Sequence, residues 1–317
     1  MWKMIDSVVY KKKSRFKRNF QRYGVISLMA LPGVLYLLIN NYLPMFGVIV
    51  AFKNVNYAKG ILNSPWVGLD NFKFLFKSTD AFIMTRNTIL YNIAFISIGL
   101  VASVSMAILL NEIAHAKLYK VYQSTFIIPY MVSYTIVGYI VFALLSPDRG
   151  FVNSVLSTVF HKGAVNWYTE PKYWPFILVF VNTWKNFGYA CVIYLASIIS
   201  IDTSLFEAAK IDGANRWQNI RYITIPGIKP IIITLTLLSI GRIFYSDFGL
   251  FYQVTLNSGI ISSTTSVIDI YVYRALMNTG EIGMASAAGL YQSSVGFVLI
   301  LVANWVVRKV SNENALF

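Results

Sequence analysis

The chain has 317 residues, of which 56% are hydrophobic, 16% aromatic and 13% charged, with a formal net charge of +14. This composition is too apolar for a soluble protein of this size and is typical of a polytopic membrane protein. The apolar residues form long continuous runs rather than short alternating segments, so helices are expected in place of a membrane barrel.

Six segments are long enough to cross a membrane as helices, because each exceeds the roughly 20 residues that the hydrocarbon core requires. The fourth and fifth are interrupted by charge, whereas the others contain no charged residue. In chain order they cover residues 24–52, 87–111, 121–147, 173–201, 230–251 and 282–307. The predicted fold class is therefore an all-α membrane protein with six transmembrane helices.

The first span contains residues that disturb a straight helix. Pro32 and Gly33 lie near its middle, and Pro44 follows Asn40 and Asn41. Because proline lacks a backbone N–H and crowds the preceding turn, we expect this span to be bent, or long and tilted.

Shorter elements are predicted between the spans. Residues 70–76 resemble a short amphipathic interfacial helix, and a short inner loop around His115 joins the second and third spans. Residues 267–276 form a semi-apolar stretch that is compatible with a surface helix. The single cysteine, Cys191, lies within a span, so no internal disulfide is possible and a packing role is expected.

The basic residues are distributed unevenly along the chain. With the N-terminus inside, the inner segments hold about twice as many Lys and Arg residues as the outer loops, mainly because of the cluster at 11–22. The positive-inside rule then places both termini and the loop around Glu207 in the cytoplasm. Residues 1–23 and 310–317 are predicted to be cytoplasmic tails of a transmembrane domain at 24–309. The basic cluster is interpreted as an orientation signal and anionic-lipid anchor rather than a nucleic-acid site.

The polar loop between the fourth and fifth spans, at about 199–229, has an ordered pattern. Ser204 and Glu207 have the S-x-x-E spacing of a capping box, which predicts a helix over residues 205–211. Gly213 can end this helix because glycine tolerates the left-handed conformation. A second helical stretch is predicted from about Arg216, with Pro226 near the next membrane entry.

The same loop resembles the EAA loop of permease subunits of ATP-binding-cassette importers, in which E-A-A is followed at fixed spacing by G and then by I-x-L-P. Ile225 stands in place of the Leu of that pattern. The resemblance implies a short helix that docks into a groove on a cytoplasmic ATPase and carries its motion to the membrane. The implied coupling residues are Glu207, Ala208, Ala209, Asp212, Gly213, Ile223 and Pro226.

Other motifs extend the resemblance over almost the whole chain. They are Y-L-P-M-F-G at 42–47, A-F-K at 51–53, W-V-G-L-D-N-F at 66–72, G-R-I-F at 241–244 and D-F-G-L-F-Y at 247–252. These are similar to permeases for oligosaccharides and polysaccharide fragments in Gram-positive bacteria, which are relatives of the maltose-importer membrane subunits. The resemblance implies the six-helix, type I importer (MetI-like) permease fold.

It also implies a heteromeric complex in the cell membrane. The implied partners are a second homologous permease, a cytoplasmic ATPase dimer, an extracellular sugar-binding lipoprotein and an oligosaccharide substrate. The sequence contains no G-x-x-x-x-G-K-[ST] phosphate loop, so ATP and Mg are expected to bind the partner ATPase. No catalytic residue, cofactor or metal is predicted in this chain.

Polar side chains within spans are costly and are therefore candidates for the substrate pathway. On the fourth span, four of them recur at helical spacing with a tryptophan beside the stripe; a second stripe on the fifth span also includes Ser239 and Ser246. The alternative is that these groups join helices, at roughly 0.6 kcal/mol per interaction. The candidate pathway residues are Asn182, Trp184, Lys185, Asn186, Tyr189, Arg242, Tyr245 and Asp247.

Two other functions remain open from the residues alone. A membrane-embedded zinc or serine hydrolase would need a histidine in a span, but His115 and His161 both fall in predicted loops. An ion-coupled secondary transporter would have broken helices around a central site, yet it would have no use for the EAA loop.

Overall fold

The computed structural model describes residues 15–113 and 116–310. The predictions for residues 1–14 and 311–317, and for the loop at His115, lie outside the described residues. The described elements are helical, apart from one isolated antiparallel bridge between Lys53 and Trp66. The chain divides after Val50 into two units, which are treated separately below.

The N-terminal unit is the first span. Helix α1 covers Arg15–Leu37, a π-helical turn covers Leu38–Tyr42, and α2 covers Leu43–Met45 before a 3-10 turn at Phe46–Phe52. Helix α1 continues through Pro32, and the span is long, with 30 residues over Tyr23–Phe52. The irregular turn instead directly precedes Pro44, which cannot donate a hydrogen bond to the Asn40 carbonyl.

A compact loop connects this span to the second. It contains α3 (Gly60–Asn63), a 3-10 turn at Asp70–Phe72 and α4 (Lys73–Lys77), which confirms the short helix predicted at 70–76. The buried Lys53 ammonium donates to the carbonyls of Ile61 and Leu62 at 3.1 and 2.6 Å. The Asn71 side-chain amide donates hydrogen bonds to the carbonyls of Ala51 and Lys53. The A-F-K and W-V-G-L-D-N-F motifs therefore supply the loop's own scaffold.

The second span is α5, which covers Thr79–Asn111 and begins where the Ser78 side chain accepts the N–H of Ala81. The third is α6 (Ala116–Met131) followed by α7 (Tyr134–Leu145). These two helices meet at 96°, so the segment predicted as the third span is broken between Met131 and Tyr134. Ser133 caps α7 by accepting the N–H of Ile136, and Pro129 in the last turn of α6 cannot donate within the helix.

Helix α8 (Phe151–Phe160) and two 3-10 turns lead into the fourth span, α9, which covers Trp174–Ile199. The buried Asn153 shapes this connection, because its amide oxygen accepts from the Val165 N–H and from the Trp167 indole.

Two short helices, α10 (Thr203–Ile211) and α11 (Arg216–Asn219), follow. A π-helical turn at Ile220–Thr224 continues into α12 (Ile225–Gly241). The fifth span therefore begins earlier than the predicted residue 230 and ends as a regular helix at Gly241 rather than at 251.

The remaining elements are a π-helical turn at Leu250–Val254, α13 (Ser262–Thr265), α14 (Ile268–Arg274), a π-helical turn at Ala275–Thr279 and α15 (Ile282–Val310). Helix α14 confirms the helix expected near 267–276, although Ile268 and Ile270 are buried. Within the described residues, five helices are long and apolar enough to cross a membrane, and six if the bent α6–α7 pair is one span.

Glycines allow the spans to approach one another closely. A Cβ on Gly188 of α9 would lie 1.8 Å from the Phe126 carbonyl oxygen of α6, and one on Gly138 of α7 would lie 2.7 Å from the Gln253 carbonyl oxygen. Membrane helices associate through such contacts between small residues, since burial from lipid supplies no hydrophobic driving force.

We expect Gly188→Ala to destabilise the protein by about 1–3 kcal/mol, the range for overpacking a close contact. The new methyl group would collide with backbone, which cannot move aside as a flexible side chain can. Thermal unfolding in detergent is the measurement. The control is Gly99→Ala on α5, where nothing lies within 4 Å of an added Cβ; equal melting of both variants would contradict the close packing of α6 on α9.

Candidate functional site

The loop between α9 and α12 presents a folded surface, here called the loop surface (residues 202–226). Helix α10 begins at Thr203 because the Asp202 carboxylate accepts the N–H of Ser204 at 2.9 Å. The predicted Ser204–Glu207 capping box is therefore wrong, since Ser204 already lies inside the first turn. Hydrogen bonds from Ser204 hold the pKa of Asp202 below its usual value.

The C-terminal end of α10 confirms the predicted role of Gly213. This glycine has a φ of +76°, its N–H donates to the Lys210 carbonyl at 3.2 Å, and the Ala214 N–H donates to the Ala209 carbonyl at 2.9 Å. This pair of bonds is the Schellman motif. A reciprocal capping box between Asn215 and Gln218 then starts α11, which confirms the second helical stretch.

The loop surface is exposed and partly apolar. Glu207 and Ala208 are exposed and Ala209 is half-buried, and large apolar side chains beside them are open, including Ile211 at 87% and Trp217 at 66% exposure. Asp212 and Pro226 are exposed, whereas Ile223 is half-buried. An exposed apolar patch of this kind marks an interaction surface.

The loop is anchored to the spans rather than free. Arg216 lies 3.8 Å from the Glu112 carboxylate at the end of α5. Thr224 and Ile228 are buried, and Ile201 packs against Gly227, where an added Cβ would lie 2.6 Å from Ile201 Cδ1. These contacts fix the orientation of α10 relative to the membrane helices.

A second set of functional candidates surrounds the break between α6 and α7. The Lys185 side chain is buried, and its Nζ donates to the carbonyls of Pro129, Tyr130 and Val132 at 3.2, 2.9 and 2.6 Å. The same ammonium lies 4.8 Å from the centre of the Tyr134 ring. The last carbonyls of a helix have no partners within it and carry partial negative charge, so Lys185 closes the end of α6.

The other candidates on α9 surround Lys185. Asn186 donates to the side chain and carbonyl of Asn182 at 2.9 and 3.0 Å, and both are half-buried. Tyr189 is 51% exposed and stacks on Tyr130 with ring centres 4.8 Å apart. Trp184 packs against the core that includes Val181 and Phe251.

The predicted stripe on the fifth span is wrong in its geometry, because the helix ends at Gly241 and the next residues form turns. Residues of α14 and α15 satisfy the freed backbone groups. The Asp269 carboxylate accepts the Ser246 N–H at 2.6 Å and a bond from Gln292 at 3.2 Å, and Gln292 also donates to the Phe244 carbonyl at 2.7 Å. Burial raises the pKa of Asp269, while its bond from Ser246 acts in the opposite direction.

Asp247 lies in the break of the fifth span, where its carboxylate accepts the Leu250 N–H at 3.1 Å. The same segment packs against the break between α6 and α7, since an added Cβ on Gly249 would lie 2.6 Å from the Tyr134 ring. We call Lys185, Tyr130, Tyr134 and Asp247 the helix-break cluster. It brings together the irregular parts of the third and fifth spans on the fourth.

Arg242 and Tyr245 occupy a different face of the fifth-span break, and both are exposed. The Tyr245 hydroxyl lies 2.6 Å from the Ser293 hydroxyl of α15, and Asn92 of α5 donates to the Tyr245 carbonyl at 3.0 Å. Across residues 15–113 and 116–310, no carboxylate lies within ion-pair distance of Arg242.

Several residues of this region were absent from the sequence-based set. Asn92 and Gln292 are polar residues within spans, so they could have been selected by the same criterion that selected the candidates on the fourth and fifth spans. Tyr130 and Tyr134 carried no comparable signal, because tyrosine is common in membrane proteins. Asp269 lies outside the apolar runs, and its role depends on a contact distant in sequence.

Comparisons with known proteins agree over most of the chain. A family model described as "Binding-protein-dependent transport system inner membrane component" matches residues 99–312. The polygalacturonan/rhamnogalacturonan transport system permease protein YteP of Bacillus subtilis is 33% identical over 98% of this chain and 96% of its own length. Protein LplB of the same organism is 33% identical over 90% of this chain and 89% of its own.

A solved structure is also similar. A chain from a bacterial ABC transporter involved in the import of the acidic polysaccharide alginate superposes with a TM-score of 0.85 at 31% identity, covering 94% of this chain and 100% of its own. A chain from a structure of the alginate transporter in complex with an alginate pentasaccharide-bound periplasmic protein has a TM-score of 0.85 at 30% identity, with 94% and 99% coverage.

We expect Lys185→Met to destabilise the protein strongly, because it removes the Lys185 hydrogen bonds to the carbonyls of Tyr130 and Val132, while the Pro129 carbonyl keeps the Val132 N–H as a donor. Each unsatisfied buried group costs about 1–3 kcal/mol. The measurement is thermal unfolding in detergent, with Lys172→Met as the control, since the Lys172 side chain is 65% exposed in a surface pair with Glu170. Normal stability combined with lost transport would contradict the structural role and favour direct substrate contact.

Proposed function

Because the chain belongs to the family of binding-protein-dependent transport system inner membrane components, we propose that it is the permease subunit of an ATP-driven importer for an oligosaccharide or glycan fragment. Its relatives are importer permeases, so the chain is a transport subunit and not an enzyme. The predicted all-α type I importer fold is confirmed by the same comparisons, and the chain is a multi-pass membrane protein. The enzyme and secondary-transporter alternatives are set aside.

The proposed coupling to an ATPase is supported mainly by the loop surface. Helix α10 has both ends closed by local hydrogen bonds, so it is a rigid unit, and it presents Glu207 and Ala208 to the outside beside exposed apolar side chains. We propose that a cytoplasmic ATPase, which binds the ATP and Mg, receives this helix. Asp212, Ile223 and Pro226 would hold its position.

The proposed complex also contains a second homologous permease and an extracellular sugar-binding lipoprotein. The alginate transporter similar to this chain was solved with a periplasmic protein that carries an alginate pentasaccharide. The proposed pathway includes Asn182, Trp184, Lys185, Asn186, Tyr189, Arg242, Tyr245 and Asp247. Hydrogen-bonding groups among them suit sugar hydroxyls, and the exposed Tyr130–Tyr189 stack suits the C–H face of a sugar ring.

Purification of the chain from its native membrane tests the proposal. The expected result is recovery of an ATPase and a second permease, with ATP hydrolysis that rises when an oligosaccharide-loaded binding protein is added. Recovery of the chain without an ATPase, or an ATPase that no binding protein stimulates, would contradict it.

We expect Ala209→Arg to abolish ATPase association while the protein stays folded in the membrane. The substitution puts a long cation on the helix proposed to enter the ATPase groove. Co-purified ATPase and sugar uptake are measured, with Ala58→Arg on the exposed loop before α3 as the control. If association and uptake both survive Ala209→Arg, the docking assignment is wrong.

We also propose that both termini are cytoplasmic and that His161 lies outside. Single cysteines at Asn312 and His161, each in a Cys191→Ser background, are expected to react with a membrane-impermeant reagent from opposite sides of the membrane. Labelling of both positions from the outside would refute this topology.

A further inference from the structure

Arg242 lies deep within the membrane-spanning part of the chain. Its neighbour Gly241 packs against Gly296, where an added Cβ would lie 2.8 Å from the Gly241 carbonyl oxygen. Gly296 is the middle residue of α15, which covers Ile282–Val310. At 1.5 Å per residue, either end of that helix is about 20 Å away, farther than an arginine side chain can reach.

Arg242 is an exposed residue at this depth, and its guanidinium has no ion-pair partner among the described residues. The nearby carboxylates have other roles. Asp269 accepts bonds from Ser246 and Gln292, and Asp247 belongs to the helix-break cluster. A charged group at this depth is costly in lipid, so Arg242 requires water, a ligand or another subunit in front of it.

The surroundings of Arg242 resemble a sugar-binding surface rather than a lipid-facing one. Ser239, Tyr245 and Ser293 are exposed, and the last two form a hydroxyl pair at 2.6 Å. Hydroxyl groups donate and accept hydrogen bonds, as sugar hydroxyls do. A guanidinium adds a planar fork of donors that binds a carboxylate through two parallel, charge-assisted bonds, which are stronger than bonds to the hydroxyl groups of a neutral sugar.

We propose that Arg242 is a specificity-determining residue that binds the carboxylate of a uronic-acid unit as the glycan crosses the membrane. The inference rests on the proposed function and specifies its substrate class as acidic oligosaccharides. An ion pair with a partner permease is the competing explanation for Arg242, and it makes a different prediction. Such a pair would contribute equally to the import of acidic and neutral glycans, and its loss would weaken assembly.

The test uses the complete transporter in proteoliposomes with its binding protein. The probes are short oligogalacturonates and alginate oligosaccharides, each compared with its carboxyl-reduced neutral counterpart at concentrations that fully load the binding protein. ATP hydrolysis and uptake are measured for the native complex, Arg242→Gln, Arg242→Lys and the control Lys59→Gln, which changes an exposed residue before α3.

We expect the native complex to prefer an acidic probe, and Arg242→Gln to reduce that preference about tenfold, the effect of one charge-assisted contact. Arg242→Lys is expected to retain part of the preference, and Lys59→Gln all of it. An unchanged preference in Arg242→Gln, or an equal loss for both sugars with poorer assembly, would overturn the inference. A native complex that responds to neutral sugars alone would overturn it while the proposed function stands, whereas silence toward every glycan would refute the proposed function itself.

Discussion

Backbone groups that are freed where a membrane helix breaks must find partners inside the protein, because lipid supplies none. This requirement applies twice in the chain, between α6 and α7 and again after Gly241. At the first break a single ammonium, that of Lys185, accounts for three carbonyls. At the second break, the Asp269 carboxylate accepts a hydrogen bond from a backbone N–H, and the Gln292 amide donates one to a backbone carbonyl. The irregular backbone is therefore stable only because these polar residues, which look costly in the sequence, supply its hydrogen bonds.

The two breaks meet on α9, which also leads to the loop surface. Lys185 and Ile199 are separated by an uninterrupted helix of about 20 Å, and α10 begins four residues after Ile199. The Gly188 contact fixes this helix against the backbone of α6. A displacement of the loop surface would thus act on a rigid rod that holds the end of α6. The break of the fifth span packs against the same region, because Gly249 lies against the Tyr134 ring of α7.

The parts of the fold that follow from local chemistry could be predicted from the sequence. The length of the apolar segments identified the spans, and Gly213 identified the end of α10. The start of α10 was misassigned because Asp202 and Ser204 are both residues that favour the N-cap position, and only the backbone path selects Asp202. The break after Gly241 was not predicted, although Arg242 and Asp247 interrupt the apolar run there, because a charged residue such as Lys185 also lies within a continuous membrane helix. Its stability depends on Asp269 and Gln292, which lie far away in sequence and are recognisable only once α14 and α15 are in place.

The polar residues within the spans are of two kinds, buried and exposed, which the sequence alone does not distinguish. Lys185 is buried and fully occupied by backbone carbonyls, so a substrate could bind its charge only by displacing them. Tyr189, Arg242 and Tyr245 are exposed at membrane depth, where contact with lipid would be unfavourable for the guanidinium and for hydroxyls. Helical spacing correctly places Lys185 and Tyr189 on the same face of α9. That face is not uniform, because Lys185 is buried against the end of α6 whereas Tyr189 is exposed. The first break thus occupies Lys185 as a structural support, whereas Tyr189, Arg242 and Tyr245 stay exposed and available to the proposed pathway.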